Sequence, residues 1–336
     1  MGHFKKGLHV NGQIDRSNKV YKALKIFCKE YTISKSNLNE FSLFPIELGK
    51  KIAIAKKILL GDIIIIIACK KGIFLGALLK ILFPVKKVLF IAIGNHIFSF
   101  NRIYHYFINK VDKNFAQIPI TQKEVSFNYS KNKISTLPNF TFAKPHFSKF
   151  KHNKPIQLYF AGRIAKNKGA FFALEVFLEL NKIGSYSLDF FGTIDLHERR
   201  HFFHQLMEIN KTLLSSQTRY CGVYRQTNIA QKLKKYDAMI FPSFYQGECF
   251  PGVFVDAFYQ NKPIFSSKWK FHHRILEETN TGWVISGLDA KKWAHTIHKN
   301  VQSRKNMNRV KKNIFLFSKE ISPRSIFKRF ILEAGL

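Results

Sequence analysis

Two acidic side chains, Glu248 and Asp256, stand on either side of a Pro251-Gly252 pair. The run before them, Asp237-Ala238-Met239-Ile240-Phe241, has the apolar character of a buried parallel strand. After them, Phe254, Ala257 and Phe258 give the i, i+3, i+4 stripe of a helix. Pro251 sits where that helix begins, a position that tolerates its missing N–H. A strand, an acidic loop and a helix N-terminus with free amides make a place to hold a polar, anionic ligand. Glu248 falls just before the helix and Asp256 shares a face with Gly252 and Val253, so both carboxylates are expected to point at one ligand.

A second set carries the opposite charge. Gly162 lets the backbone turn after a strand, and Arg163 and Lys168 bracket the loop that follows, ending at Gly169. A guanidinium and an ammonium at the carboxyl edge of a parallel sheet suit a diphosphate. Taken alone they read equally well as two solvated cations in a very basic protein. Together with the Glu248 stretch they favour a ligand site.

The elements that must position these groups follow a regular alternation. From residue 155 onward, strands are expected at 157–160, 187–191, 219–222, 237–241, 263–266 and 282–285. Helices are expected at 170–181, 197–214, 228–236, after Pro251, at 271–279 and at 291–301. Alternation of this kind predicts a parallel sheet covered on both faces. The first part is less regular. It offers a helix at 20–31 after a turn at Gly12, strands at 63–68, 87–93 and 116–120, and a helix at 72–83. A polar, basic stretch at 142–154 marks the domain boundary. The expected domains are 1–145 and 146–318.

The 336 residues suffice for two domains, and a hydrophobic content of 46% rules out wholesale disorder. Lysine and arginine number 55 against 21 acids, a formal charge of +34. The first 142 residues carry +16 and the remainder +18, so the excess is not a detachable tail. Such a surface attracts anionic lipid, nucleic acid or phosphorylated substrates. Cys28, Cys69, Cys221 and Cys249 show no metal-ligand spacing and no disulfide framework, which points to a reducing cytoplasm. The first residues lack the apolar core of a signal peptide. The most apolar region, 61–94, is interrupted by lysines before reaching the ~20 residues of a spanning helix. The expectation is a cytoplasmic protein, with peripheral attachment to the cytoplasmic face of an inner membrane.

The order Ala161-Gly162-Arg163, Lys168-Gly169, Phe191-Gly192, Asp237-Ala238-Met239-Ile240-Phe241-Pro242-Ser243, then Glu248-Cys249-Phe250-Pro251-Gly252 resembles the carboxyl-terminal domain of GT4-type retaining glycosyltransferases. The similarity spans roughly residues 155–285. Gly12-Gln13, Gly94-Asn95 and Leu137-Pro138-Asn139-Phe140 resemble the family's amino-terminal domain more loosely. The resemblance implies an α/β GT-B fold: two Rossmann-like domains facing across a cleft, with a C-terminal helix crossing back to the first. It implies a final segment, 319–336, for that helix, which 322–334 would suit. It implies that Arg163 and Lys168 bind a donor pyrophosphate beside Gly162. Glu248, first acid of a Glu-x7-Glu signature, would contact the transferred sugar. The second acid is here Asp256, which would bind ribose hydroxyls through a shorter side chain. Phe250, Pro251, Gly252 and Val253 would line the sugar and phosphates, with amides donated by Phe250, Gly252 and Val253. His96 either polarises a sugar hydroxyl from the other domain or is one of 13 packing and surface histidines. Gly12, Gln13 and Lys19 stand on the acceptor side or form a simple turn. His272, His273, Tyr245 and Trp269 read as packing or surface residues.

One departure concerns the start of the chain, where residues 4–10 leave little room for the family's first strand. The implied activity moves a hexose from a nucleotide sugar to a glycan or lipid-linked surface-polysaccharide acceptor, with retention of configuration. The nucleotide sugar is a substrate. No cofactor and no metal are expected, since no Asp-x-Asp motif is present. Expected partners are the nucleotide sugar, the acceptor and an anionic membrane surface, with no specific nucleic acid because no recognised module occurs. Two other readings stand beside it. One is an inactive GT-B protein that binds anionic membrane or nucleic acid. The other is a GT-B-like sugar-nucleotide epimerase, for which no acid–base set at the sugar C2 is identified.

Overall fold

The computed structural model describes residues 12–27, 62–68, 72–94, 102–119, 133–151, 155–213, 217–223 and 228–336. Residues 4–10 and His96 lie outside the described residues. The chain divides into two compact units, one of residues 1–139 with 323–336, the other of residues 140–322. The polar stretch at 142–154 suggests a break at 145/146, and the family resemblance implies one at 318/319.

In the first unit, helix α1 (Gly12–Phe27) precedes strand β1 (Ile63–Ala68), helix α2 (Gly72–Leu82) and strand β2 (Lys87–Ala92). Helix α3 (Arg102–Lys110) and strands β3 (Lys113–Ala116) and β4 (Ile134–Thr136) follow. The strands form a parallel sheet in the order β1-β2-β3-β4. Beta-branched isoleucines build β1, and Val88, Phe90 and Ala92 of β2 pack with Ile73 and Leu79 of α2.

Two expectations shift here. Helix α1 starts at Gly12, where the sequence suggested a turn, and continues through Ser17 and Asn18. Arg16 is buried on it, its guanidinium donating to the Leu137 carbonyl at 2.8 Å and to the Asn139 side chain. That tertiary anchor extends the helix beyond its apolar stripe. Strand β3 comes earlier than 116–120 because buried Asn114, which donates to the Ile108 carbonyl at 3.1 Å, interrupts its apolar signal.

The second unit contains β5 (Ile156–Ala161), α4 (Ala170–Ile183), β6 (Tyr186–Phe191), α5 (Arg199–Thr212), β7 (Thr218–Tyr220) and α6 (Ile229–Leu233). Then come β8 (Ala238–Phe241), α7 (Gly252–Tyr259), β9 (Ile264–Ser267), α8 (His272–Leu276), β10 (Gly282–Ile285), α9 (Ala290–Gln302) and α10 (Arg304–Glu320). Six parallel strands run in the order β10-β9-β8-β5-β6-β7. The core on one face joins Leu158, Phe160, Phe190 and Ile240 of the sheet to Phe172, Val176 and Phe177 of α4 and Trp293 of α9. The last helix, α11 (Pro323–Ala334), belongs to the first unit, where Phe330 packs on Phe115 at 4.5 Å and Phe327 on Phe27 at 5.8 Å.

The order of the second sheet decides where a ligand can sit. Strand β5 opens the unit but lies inside the sheet, with β6 on one side and β8 on the other. Its neighbours leave their carboxyl ends in opposite directions, which opens a crevice above β5 and β8. The loops entering that crevice are those after Ala161 and after Phe241.

Candidate functional site

The β5 loop runs from Gly162 through Arg163 to a single 3-10 turn, Lys166–Lys168, and ends at Gly169. Gly169 has φ +76 and caps both that turn and α4. A Cβ at this position would lie 2.2 Å from the Pro242 carbonyl oxygen, so only glycine lets the two loops close. The closure is completed by the Phe244 amide, which donates to the Asn167 carbonyl at 3.0 Å.

That contact brings together residues 80 positions apart. The Lys168 ammonium forms an ion pair and hydrogen bond with Glu248 Oε1, with both side chains largely buried. Ser243 Oγ donates to the same carboxylate oxygen at 3.3 Å. Over the pair lies Tyr245, its ring centre 4.1 Å from Lys168 Nζ and 5.9 Å from the Arg163 guanidinium. The ring lies down because residue 247 is glycine, where a Cβ would meet it at 2.7 Å. Trp269 Nε1 donates to the Tyr245 carbonyl at 2.8 Å and ties this loop to the end of β9. Arg163 is the more open cation, with Nη1 3.5 Å from Asp195 Oδ2 across a half-exposed pair. A pair that open contributes about 0–1 kcal/mol, so the guanidinium is readily shared with an incoming anion.

Helix α7 begins directly behind the Glu248 loop. Pro251 is its N-cap in extended conformation, and Gly252 and Val253 supply the first helical amides, which have no partner within the helix. Pro251 thus precedes the helix instead of opening it. Gly252 is exposed, and a Cβ there would meet nothing within 4 Å, so the helix N-terminus opens onto free space. Phe250 is different: its ring is buried, 6.4 Å from Phe258, which leaves its backbone as the part able to meet a ligand. Asp256 is also buried, and its charge adds to the burial that raises the Tyr159 hydroxyl well above its ordinary pKa. Glu248, by contrast, pairs directly with Lys168.

The structure brings Arg163, Lys168, Glu248 and the start of α7 to one sheet edge. The sequence reading missed Ser243 and Asp195, and set Tyr245 aside as packing or surface. Ser243 sits in the Phe241-Pro242-Ser243 segment and was legible by position, whereas the ring of Tyr245 over two cations required the loops to be closed. His272 is buried as expected of a packing residue, with Phe254 at 5.4 Å and Phe241 at 5.6 Å. Burial pushes its pKa down to about 4 despite the Ser267 carbonyl contact, and the Lys168 charge adds to the fall. At neutral pH it is an uncharged imidazole beneath the loops.

A family model for glycosyl transferases group 1 matches residues 142–316. No curated protein matches the chain significantly. Among solved structures, the chain is similar to Anabaena HepE in complex with UDP and glucose, at 12% identity and TM-score 0.66, covering 90% of this chain and 84% of that one. It is similar to the apo form of the lipopolysaccharide outer core galactosyltransferase WaaB, at 13% identity and TM-score 0.67, covering 96% and 95%. It also resembles the pneumococcal O-GlcNAc transferase GtfA in complex with UDP and GlcNAc, at 14% identity and TM-score 0.64, covering 86% and 60%. These likenesses identify the architecture as GT-B.

Proposed function

The chain belongs to the glycosyl transferases group 1 family, and on that premise we propose that it moves a sugar from a nucleotide-sugar donor to a glycan or lipid-linked surface-polysaccharide acceptor, retaining the anomeric configuration. The observation that carries this reading is the meeting of Lys168 and Glu248 under Tyr245 at the topological switch between β5 and β8.

In this reading Arg163 and Lys168 hold the donor pyrophosphate, joined by the Gly252 and Val253 amides and the backbone of Phe250. The bond from the anomeric carbon to the diphosphate oxygen breaks, and the nucleoside diphosphate leaves with the bonding pair. Fixed cations and helix amides stabilise the charge that grows on that oxygen, more strongly in the transition state than in the bound donor. The acceptor hydroxyl attacks from the leaving-group face, and its proton passes to the departing phosphate oxygen. Glu248 accepts hydrogen bonds from hydroxyls of the sugar, which fixes the ring while Lys168 bridges carboxylate and phosphate. Asp256 accepts hydrogen bonds from the ribose hydroxyls, and His96, as the family resemblance implies, polarises a sugar hydroxyl. Neutralisation of the leaving group by side chains and amides requires no metal ion. The charge of +34 supports work at an anionic membrane surface, where lipid-linked acceptors reside.

The test is a thermal-shift panel of UDP-, GDP- and ADP-sugars, followed by hydrolysis and transfer of an isotopically labelled donor. One nucleotide sugar is expected to raise the melting temperature, with the rise and the turnover both lost in Arg163→Ala and Glu248→Ala. Unchanged turnover in both variants would sink the site assignment, and saturable binding with no turnover toward any acceptor would point to an inactive fold.

A further inference from the structure

Helix α2 is apolar on two sides, and among the described residues only one of them is packed. Ile73, Gly76, Ala77 and Leu79 are buried against the first sheet. The other side shows Phe74, Leu78, Ile81 and Leu82, and the stripe continues into the turn at Val85. Leu78, Ile81 and Leu82 are 50%, 58% and 59% exposed, and Val85 is 94% exposed. The face extends onto α3: Phe74 meets Phe107 at 4.8 Å, Phe107 meets Tyr106 at 5.4 Å, and Tyr106 is itself exposed. A contiguous row of large apolar side chains in water is the mark of an interaction site, whereas single exposed leucines need no explanation.

Charge tells which occupant fits. From residue 62 to residue 112 the sequence holds seven Lys and Arg residues against two acids, Asp62 and Asp112. Lys110 places its ammonium 4.7 Å from the centre of the Tyr106 ring, at the edge of the apolar row. Lys80, on the same helix, is neutralised by Asp112 at 2.9 Å and donates to the carbonyls of Pro84 and Lys86, on either side of Val85. Among the described residues, the one ion pair near the row, Lys80–Asp112, is internally neutralised, and Lys110 is the unneutralised charge placed at its edge. A second copy would set like charges against each other across a twofold interface, which disfavours self-association. A bilayer with anionic headgroups matches both the row and the charge: the apolar side chains enter the headgroup–acyl boundary, and Lys110 meets phosphate.

We propose that the α2–α3 face of the amino-terminal unit is a membrane-docking surface, with Phe74, Leu78, Ile81, Leu82, Val85 and Tyr106 entering an anionic leaflet. The proposal deepens the reading of a membrane-side acceptor and rests on it for purpose, but docking itself needs neither donor nor catalysis.

The experiment is co-sedimentation of the full chain with vesicles of phosphatidylglycerol and phosphatidylcholine, without any nucleotide sugar. A triple variant, Leu78→Ser with Ile81→Ser and Leu82→Ser, keeps every charge and removes only the apolar contact. The expected result is at least a tenfold weaker partition for the triple variant. Val85→Trp, at a fully open position, is expected to shift its emission to the blue on anionic vesicles in an otherwise native chain. Equal partition of the triple variant and the native chain, with no shift at residue 85, would overturn the proposal and leave diffuse charge as the cause of binding. No partition of the native chain would overturn it too. A concentration-dependent dimer abolished by the triple variant would instead assign the face to a second copy, and capture of an acidic protein without vesicle binding would assign it to that partner. Nucleotide-sugar affinity measured on the same samples reports the donor site separately, so either reading can fail alone.

Discussion

Replacing Lys168 with methionine separates what the Lys168–Glu248 pair does for the fold from what it does for a ligand. The two side chains are 17% and 7% exposed, and Glu248 sits under the Tyr245 ring with Ser243 as its other hydrogen-bond partner. Removing the cation strands a largely buried carboxylate, which costs about 3–5 kcal/mol for a buried pair. In the 140–322 unit, whose size corresponds to a shift of roughly 2–4 °C per kcal/mol, the melting temperature is expected to fall by roughly 6–20 °C. Glu248→Gln in the same chain removes the stranded charge, so the double variant is expected to recover at least half of that loss. The coupling is read from the four-member cycle in urea and by calorimetry. Donor affinity should follow a different pattern, lost in both single variants and not recovered in the double. A Lys168→Met chain within about 0.5 kcal/mol of the native one would refute the buried pair. Recovery of donor binding in the double variant would refute the assignment of either side chain to the ligand.

Two further outcomes follow from the same geometry. Gly169→Ala forces a Cβ to within 2.2 Å of the Pro242 carbonyl at φ +76; the two loops are expected to part, with at least ~2 kcal/mol lost in urea unfolding and donor affinity reduced tenfold or more. Lys311 and Lys262 are both buried: burial lowers Lys311 to about 7, with the Lys262 charge adding to the fall, and lowers Lys262 to about 8 although Asp237 opposes it. The unfolded chain binds more protons than the folded one between about pH 7 and 10.5, so stability is expected to rise with pH across that window. Lys311→Met should flatten the rise, and an unchanged slope in urea unfolding between pH 7 and 10 would contradict a lowered pKa at that residue.

How far the sequence reaches differs from element to element. Strands β5, β6, β8 and β9 were legible because each is a short apolar run ended by glycine, proline or serine, and buried parallel strands demand that pattern. Helix α10 was not, although it has seventeen residues. Its buried stripe of Met307, Val310 and Ile314 is interrupted by Lys311 and Ser318, which are buried as well. Lys311 is admitted there because it donates to the Asn261 carbonyl at 2.9 Å, and Ser318 because it donates to the Ile314 carbonyl at 2.7 Å. Polar side chains satisfied by backbone oxygen are invisible to an apolar periodicity. Arg16 in α1 and Asn114 in β3 hid their elements for the same reason.

By itself the sequence determined the types and order of the groups available to the site: two cations after one strand, an acid and a helix start after another. Those properties are local, since a turn residue or an apolar run acts on its immediate neighbours. Only the tertiary structure decided that Lys168 would meet Glu248, that Tyr245 would cover both cations, and that one side of α2 would stay open. Each of these depends on sheet order, which sets β8 beside β5 across 80 residues and leaves α2 covered on a single face. Sheet order follows from where the whole chain buries its apolar surface, and no window of sequence holds that sum.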